Sequence, residues 1–125
     1  MAKRVLLAED EPNIVESLTF LLERAGFEVA VKTDGRRALD TVLDDTPDLL
    51  ILDVMLPELS GYEVLRHLRA DQRSASLPVL MLTAKGQRAD RETALECGAD
   101  RFITKPFSNA DVMAAVKELL NGNAA

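Results

Sequence analysis

The stretch LLILDVMLPELSG, Leu49 to Gly61, decides the fold. Leu49 to Leu52 are apolar at every position, the pattern of a strand buried on both faces in the middle of a parallel sheet. The run then meets a carboxylate, Asp53. An unpaired ion in low dielectric costs several kcal/mol or more. Asp53 therefore belongs at the tip of the strand, where the chain leaves the sheet and other groups can meet it.

Working outward, four more short apolar runs appear: Val5 to Ala8, Val29 to Val31, Val79 to Leu82, and Phe102 to Ile103. Between them lie amphipathic stretches. Pro12 suits a first helical turn, with Ile14, Val15, Leu18, Leu21, Leu22 and Ala25 following at three and four spacing until Gly26. A second helix starts near Gly35 and carries Ala38, Leu39, Val42 and Leu43 inward. Ser60 caps a third, with Val64, Leu65 and Leu68 inward. A fourth, from about Gln87 to Cys97 and ended by Gly98, is poor in large apolar residues. Ser108 begins a fifth, with Asp111 three residues on as in a capping box, and Val112, Ala115, Val116, Leu119 and Leu120 inward. Strand then helix, five times over, predicts an α/β fold: a doubly wound, five-stranded parallel sheet covered by helices on both faces.

The 125 residues suffice for one domain, expected over residues 1–125 with its core at about 3–122. Apolar content of 47% with 29% charged residues is ordinary for a globular chain, and the net charge of −6 disfavours nucleic acid or anionic membrane as a ligand. A single cysteine, Cys97, forbids an internal disulfide, and a cytoplasmic setting is expected. No run approaches the roughly 20 apolar residues of a membrane span, and the basic start meets acids too soon for a signal peptide.

In a doubly wound sheet, ligands sit outside the C-terminal strand ends. The first strand ends in Glu9-Asp10, the third in Asp53, the fourth in Thr83-Ala84, and the fifth in Lys105-Pro106. If strands one, three, four and five are neighbours, three acids, a hydroxyl and an ammonium converge. Two carboxylates about 4 Å apart repel by about 4 kcal/mol at an effective dielectric near 20. Such a group raises a pKa, recruits Lys105 or binds a divalent cation. All-oxygen ligation suits Mg²⁺, with Mn²⁺ as the alternative. Thr83 and Lys105 complete a centre suited to phosphoryl transfer, where positioning and charge neutralisation dominate. Asp53 is the best placed nucleophile, and Ala84 leaves room and a free N–H for a phosphoryl group.

The motifs LLAEDEP, LLILDVMLPELSG, MLTAK and FITKPF, in this order, closely resemble the receiver domain of bacterial two-component response regulators. The resemblance covers about Lys3 to Gly122. It implies a flavodoxin-like three-layer sandwich with strand order 2-1-3-4-5 and five helices. It also implies Mg²⁺ held by Asp10, Asp53 and the Met55 backbone carbonyl, with Glu9 acting through a water. A cis Lys105-Pro106 bond is implied likewise, and Thr83 and Phe102 stand at the switch positions. Glu9 replaces the family's commoner aspartate, and Phe102 lacks the hydroxyl of the tyrosine often found there.

The function expected is a phosphorylation switch without independent enzyme activity. A histidine kinase or phosphotransfer protein supplies the phosphoryl group, and the surface of the fourth helix, fifth strand and fifth helix responds toward a downstream protein. Met55 and Lys85 flank the site and align no water, so hydrolysis is expected to be slow to moderate. With no DNA-binding or catalytic domain after Asn121, the chain reads as a stand-alone regulator or a receiver cut from a longer protein.

Taken singly, these residues have plainer readings: Asp53 a solvated strand-end acid, Thr83 a β-branched strand residue, Lys105 a surface charge. Their common placement overturns those readings. Glu11 reads as an acid at a helix N-terminus, His67 as solvated, and Cys97 as a packed small residue. A Mg²⁺-dependent phosphatase would need a general acid where Met55 stands. A flavin or nucleotide module would need a glycine-rich loop where EDEP stands. A non-phosphorylated interaction module would not need its acids and lysine intact.

Overall fold

The structure, a computed structural model, describes residues 2–83, 96 and 98–121. Strands β1 (Arg4–Ala8), β2 (Glu28–Lys32), β3 (Leu49–Asp53), β4 (Val79–Thr83) and β5 (Arg101–Thr104) form one parallel sheet, in the order β2-β1-β3-β4-β5. The described helices are α1 (Pro12–Arg24), α2 (Gly35–Asp44), α3 (Gly61–Ala70) and α4 (Asn109–Leu120). Apart from Glu96, the helix expected from about Gln87 to Cys97 lies outside the described residues, so α4 is the fifth of the sequence reading.

Period-two alternation divides the sheet into two cores. Val5 and Leu7 of β1, Leu49 and Ile51 of β3, and Leu80 and Leu82 of β4 pack with Leu18 and Leu22 of α1 and with Val112, Ala115 and Val116 of α4. The intervening Leu6, Ala8, Leu50, Leu52, Val79 and Met81 pack with Ala38, Leu39 and Val42 of α2 and with Val64, Leu65 and Leu68 of α3. β3 is buried at all five positions because helices cover it on both sides. β2, at the sheet edge, is fully buried nowhere.

The caps follow local chemistry. Pro12 starts α1 after Glu11, whose side chain makes no capping bond. Asp34 accepts from the Arg37 N–H. Ser60 and Glu63 form a reciprocal capping box, and Ser108 Oγ accepts from the Asp111 N–H. Ala25, read as the last residue of the three-and-four spacing, is instead the exposed C-cap of α1. The helix ends one residue earlier, at Arg24, because the chain is already turning there, with Gly26 at φ +98°.

Glycine decides how closely α3 approaches β3. A Cβ on Gly61 would lie 2.4 Å from the Asp53 carbonyl oxygen and 2.9 Å from Val54 Cα. The Gly61 N–H donates to the Val54 carbonyl, which seals the contact. Gly61 is thus fixed by packing. It lets the capped start of α3 lie against the end of the strand that carries Asp53.

Candidate functional site

The strand order makes β1, β3, β4 and β5 consecutive, so the ends of all four meet at one edge. Glu9 and Asp10 follow β1, Asp53 ends β3, Thr83 ends β4, and Lys105 follows β5. Glu9, Asp10, Glu11, Asp53, Met55 and Lys105 line a cleft of about 310 Å³.

Asp53 is 3% exposed and held from two sides. Its Oδ1 accepts from the Met55 N–H at 3.2 Å, and its Oδ2 stands 3.2 Å from Lys105 Nζ. The tight turn after β3 puts Met55 where its amide reaches back to the strand-end carboxylate, while its side chain stays 71% exposed.

Glu9 is wholly buried. Its Oε2 accepts from the Glu11 N–H at 3.1 Å. Its Oε1 faces Lys105 Nζ at 3.1 Å but has no hydrogen-bond partner. Burial and the neighbouring Asp53 carboxylate push the Glu9 pKa up to about 7, against the Glu11 amide and Lys105, which pull it down. Burial alone would lower the Lys105 pKa, but the Asp53 and Glu9 carboxylates outweigh it and hold the ammonium above its ordinary value.

Carboxylate oxygens of Glu9, Asp10 and Asp53 lie within 4.8 Å of one another. This is a hard-oxygen donor set, and it includes a buried oxygen without a hydrogen bond, so it fits a divalent cation such as Mg²⁺. Lys105 supplies compensating charge to Glu9 and Asp53.

Thr83 is 1% exposed, and its hydroxyl lies 3.3 Å from that of Thr104. The two are register partners on β4 and β5, and the Lys105 N–H donates to the Thr83 carbonyl. The Lys105–Pro106 peptide bond is cis. Phe102 is half-buried against the core on the α2 and α3 side. His67 is exposed, as expected. Ala84, Lys85 and Cys97 lie outside the described residues.

Three features of this site escape the sequence reading. Glu11, assigned there only to the helix start, comes within 4.0 Å of Lys105 Nζ. Its position two residues after Glu9 was the available signal. Thr104 looks like any β-branched strand residue until the β4–β5 register sets it beside Thr83. Gly61 shows its role only when α3 is placed against β3.

A family model described as "Response regulator receiver domain" matches residues 5–117. The alkaline phosphatase synthesis transcriptional regulatory protein PhoP of Bacillus subtilis (strain 168) is 47% identical over 120 residues, covering 96% of this chain and 49% of that protein. The chain spans about half the length of the curated relatives it matches. A putative response regulator from Chloroflexus aurantiacus J-10-fl superposes with a TM-score of 0.92 at 33% identity, covering 97% of this chain and 99% of that one. The receiver domain of the sensor histidine kinase PA1611 from Pseudomonas aeruginosa PAO1, solved with a magnesium ion coordinated in its active-site cleft, has a TM-score of 0.89 at 28% identity. That match covers 98% of this chain and all of that one.

Proposed function

We propose that this chain, which belongs to the response regulator receiver domain family, is a phospho-acceptor switch in which Asp53 receives the phosphoryl group. The supporting observation is the setting of that carboxylate: Lys105 Nζ at 3.2 Å, the Met55 amide at 3.2 Å, and oxygens of Glu9 and Asp10 close by. An Asp53 oxygen attacks the phosphorus of a phosphohistidine on a sensor kinase or phosphotransfer protein. The P–N bond breaks, the imidazole leaves and takes up a proton, and Asp53 becomes an acyl phosphate. Asp10, Asp53 and the Met55 carbonyl would hold Mg²⁺, with Glu9 reached through a water, and the ion would neutralise the phosphoryl oxygens.

The chain's own groups do the rest. Lys105 exchanges its carboxylate partners for a phosphoryl oxygen. The Thr83 hydroxyl donates to another, and Ala84 contributes space and an N–H. Phe102 then occupies room that Thr83 vacates, which biases the surface of β5 and α4 toward a downstream protein. The chemistry is confined to phosphorylation and dephosphorylation of the chain itself, so the domain turns over no separate substrate.

The test is phosphoryl uptake. With acetyl phosphate and Mg²⁺, the intact mass should rise by one phosphoryl group that hydroxylamine removes. Asp53→Asn should gain none. A wild-type protein whose mass does not change overturns the proposal.

A further inference from the structure

We propose that Thr104 is a positioning residue that acts through Thr83: its hydroxyl latches the Thr83 hydroxyl in the resting state and opposes phosphoryl binding. This inference rests on the function proposed above.

The observation is the pairing of the two hydroxyls at 3.3 Å, between register partners on adjacent strands. Thr83 is 1% exposed, so its hydroxyl is nearly removed from solvent. A phosphoryl oxygen only accepts, and Thr83 must therefore donate to it. An Oγ1 that swings toward a phosphoryl group on Asp53, through a different χ1 well or a shift of the strand end, parts from Thr104. The resting bond is then exchanged for the new one. Phosphorylation works against this latch, just as it works against the Lys105 ion pairs.

Position makes Thr104 suited to this. Phe102 and Thr104 are two apart on β5 and project to the same side of the sheet. Phe102 carries no hydroxyl. On that side of β5, the hydroxyl available to Thr83 belongs to Thr104, beside the aromatic ring expected to respond.

Thr104→Val keeps shape and β-propensity but removes the hydroxyl, while Thr104→Ser keeps it. The probe is beryllofluoride with Mg²⁺, a phosphoryl mimic, titrated into the full chain. One neutral hydrogen bond predicts that Thr104→Val binds about fivefold more tightly than wild type, and that Thr104→Ser behaves as wild type. In a Thr83→Val background the Thr104→Val change should have no effect, because the bond is already absent. Without any ligand, the three-bond coupling that reports the Thr83 χ1 angle should move toward rotamer averaging in Thr104→Val alone.

Equal or weaker binding by Thr104→Val, with the wild type responding normally, overturns the latch and leaves the switch reading standing. An unmoved Thr83 coupling overturns it independently of phosphorylation. A wild type that binds no beryllofluoride removes both.

Discussion

The ammonium of Lys105 stands 3.2 Å from Asp53 Oδ2, although their positions are 52 residues apart in the chain. The same nitrogen lies 3.1 Å from Glu9 Oε1, so one cation balances two buried acids. Lys105 thus stands in the electrostatic role that a divalent ion would take.

Lys105 and the ion therefore compete. A unit-charge pair about 3 Å apart is worth about 5 kcal/mol at an effective dielectric near 20, and partial solvent screening leaves a fraction of that. Replacing Lys105 with Met should tighten Mg²⁺ binding about fivefold by calorimetric titration, roughly 1 kcal/mol. Phosphoryl uptake from acetyl phosphate should at the same time fall by about tenfold or more. Unchanged Mg²⁺ affinity would mean that ammonium and metal do not share these carboxylates.

Glu9 gives the metal-free protein a pH dependence of definite sign. Its pKa is about 7 in the folded state against an ordinary 4.5. Its contribution to stability is full below pH 4.5 and is lost as the pH rises through 7, because the unfolded chain gives up the proton first. The shift corresponds to about 3 kcal/mol. In EDTA, the stability advantage of Glu9→Gln over wild type should grow between pH 5 and pH 8 in urea titrations. A constant difference would show that the buried carboxyl does not titrate in this range.

Gly61 is fixed by what surrounds it. Gly61→Ala places a Cβ 2.4 Å from the Asp53 carbonyl oxygen, a backbone atom that cannot swing aside. A loss of about 2–3 kcal/mol in urea unfolding is expected, as for an overpacked core. Phosphoryl uptake should fall too, because the atom struck belongs to Asp53. Gly26→Ala, where a Cβ meets open space at φ +98°, should lose only about 1 kcal/mol. Equal losses at the two sites would refute the packing argument.

Met55 sets the rim of the cleft. Its thioether is a weak acceptor and aligns no attacking water. Met55→Asn puts a carboxamide there, and the phosphoryl half-life should shorten on the order of tenfold through better water positioning. An unchanged half-life, followed by the decay of the intact-mass signal, would remove Met55 from that role.

Sequence periodicity determined the architecture, because burial on one face or on both leaves its mark on neighbouring residues. The unbroken run of Leu49 to Leu52 marked the central strand, and Ser60 and Ser108 marked helix starts that the structure reproduces. Each acid, hydroxyl and ammonium could also be assigned to its own strand end from the sequence. The order β2-β1-β3-β4-β5 came from the resemblance, since periodicity carries no information about which strands are neighbours. Only the tertiary structure decided what meets across that order. Glu9 is buried against Lys105, Glu11 faces the same ammonium, Gly61 lies against the Asp53 carbonyl, and Thr83 shares its hydroxyl with Thr104. These contacts depend on register and on the close approach of segments distant in the chain, and apart from the spacing of Glu9 and Glu11 no local pattern records them.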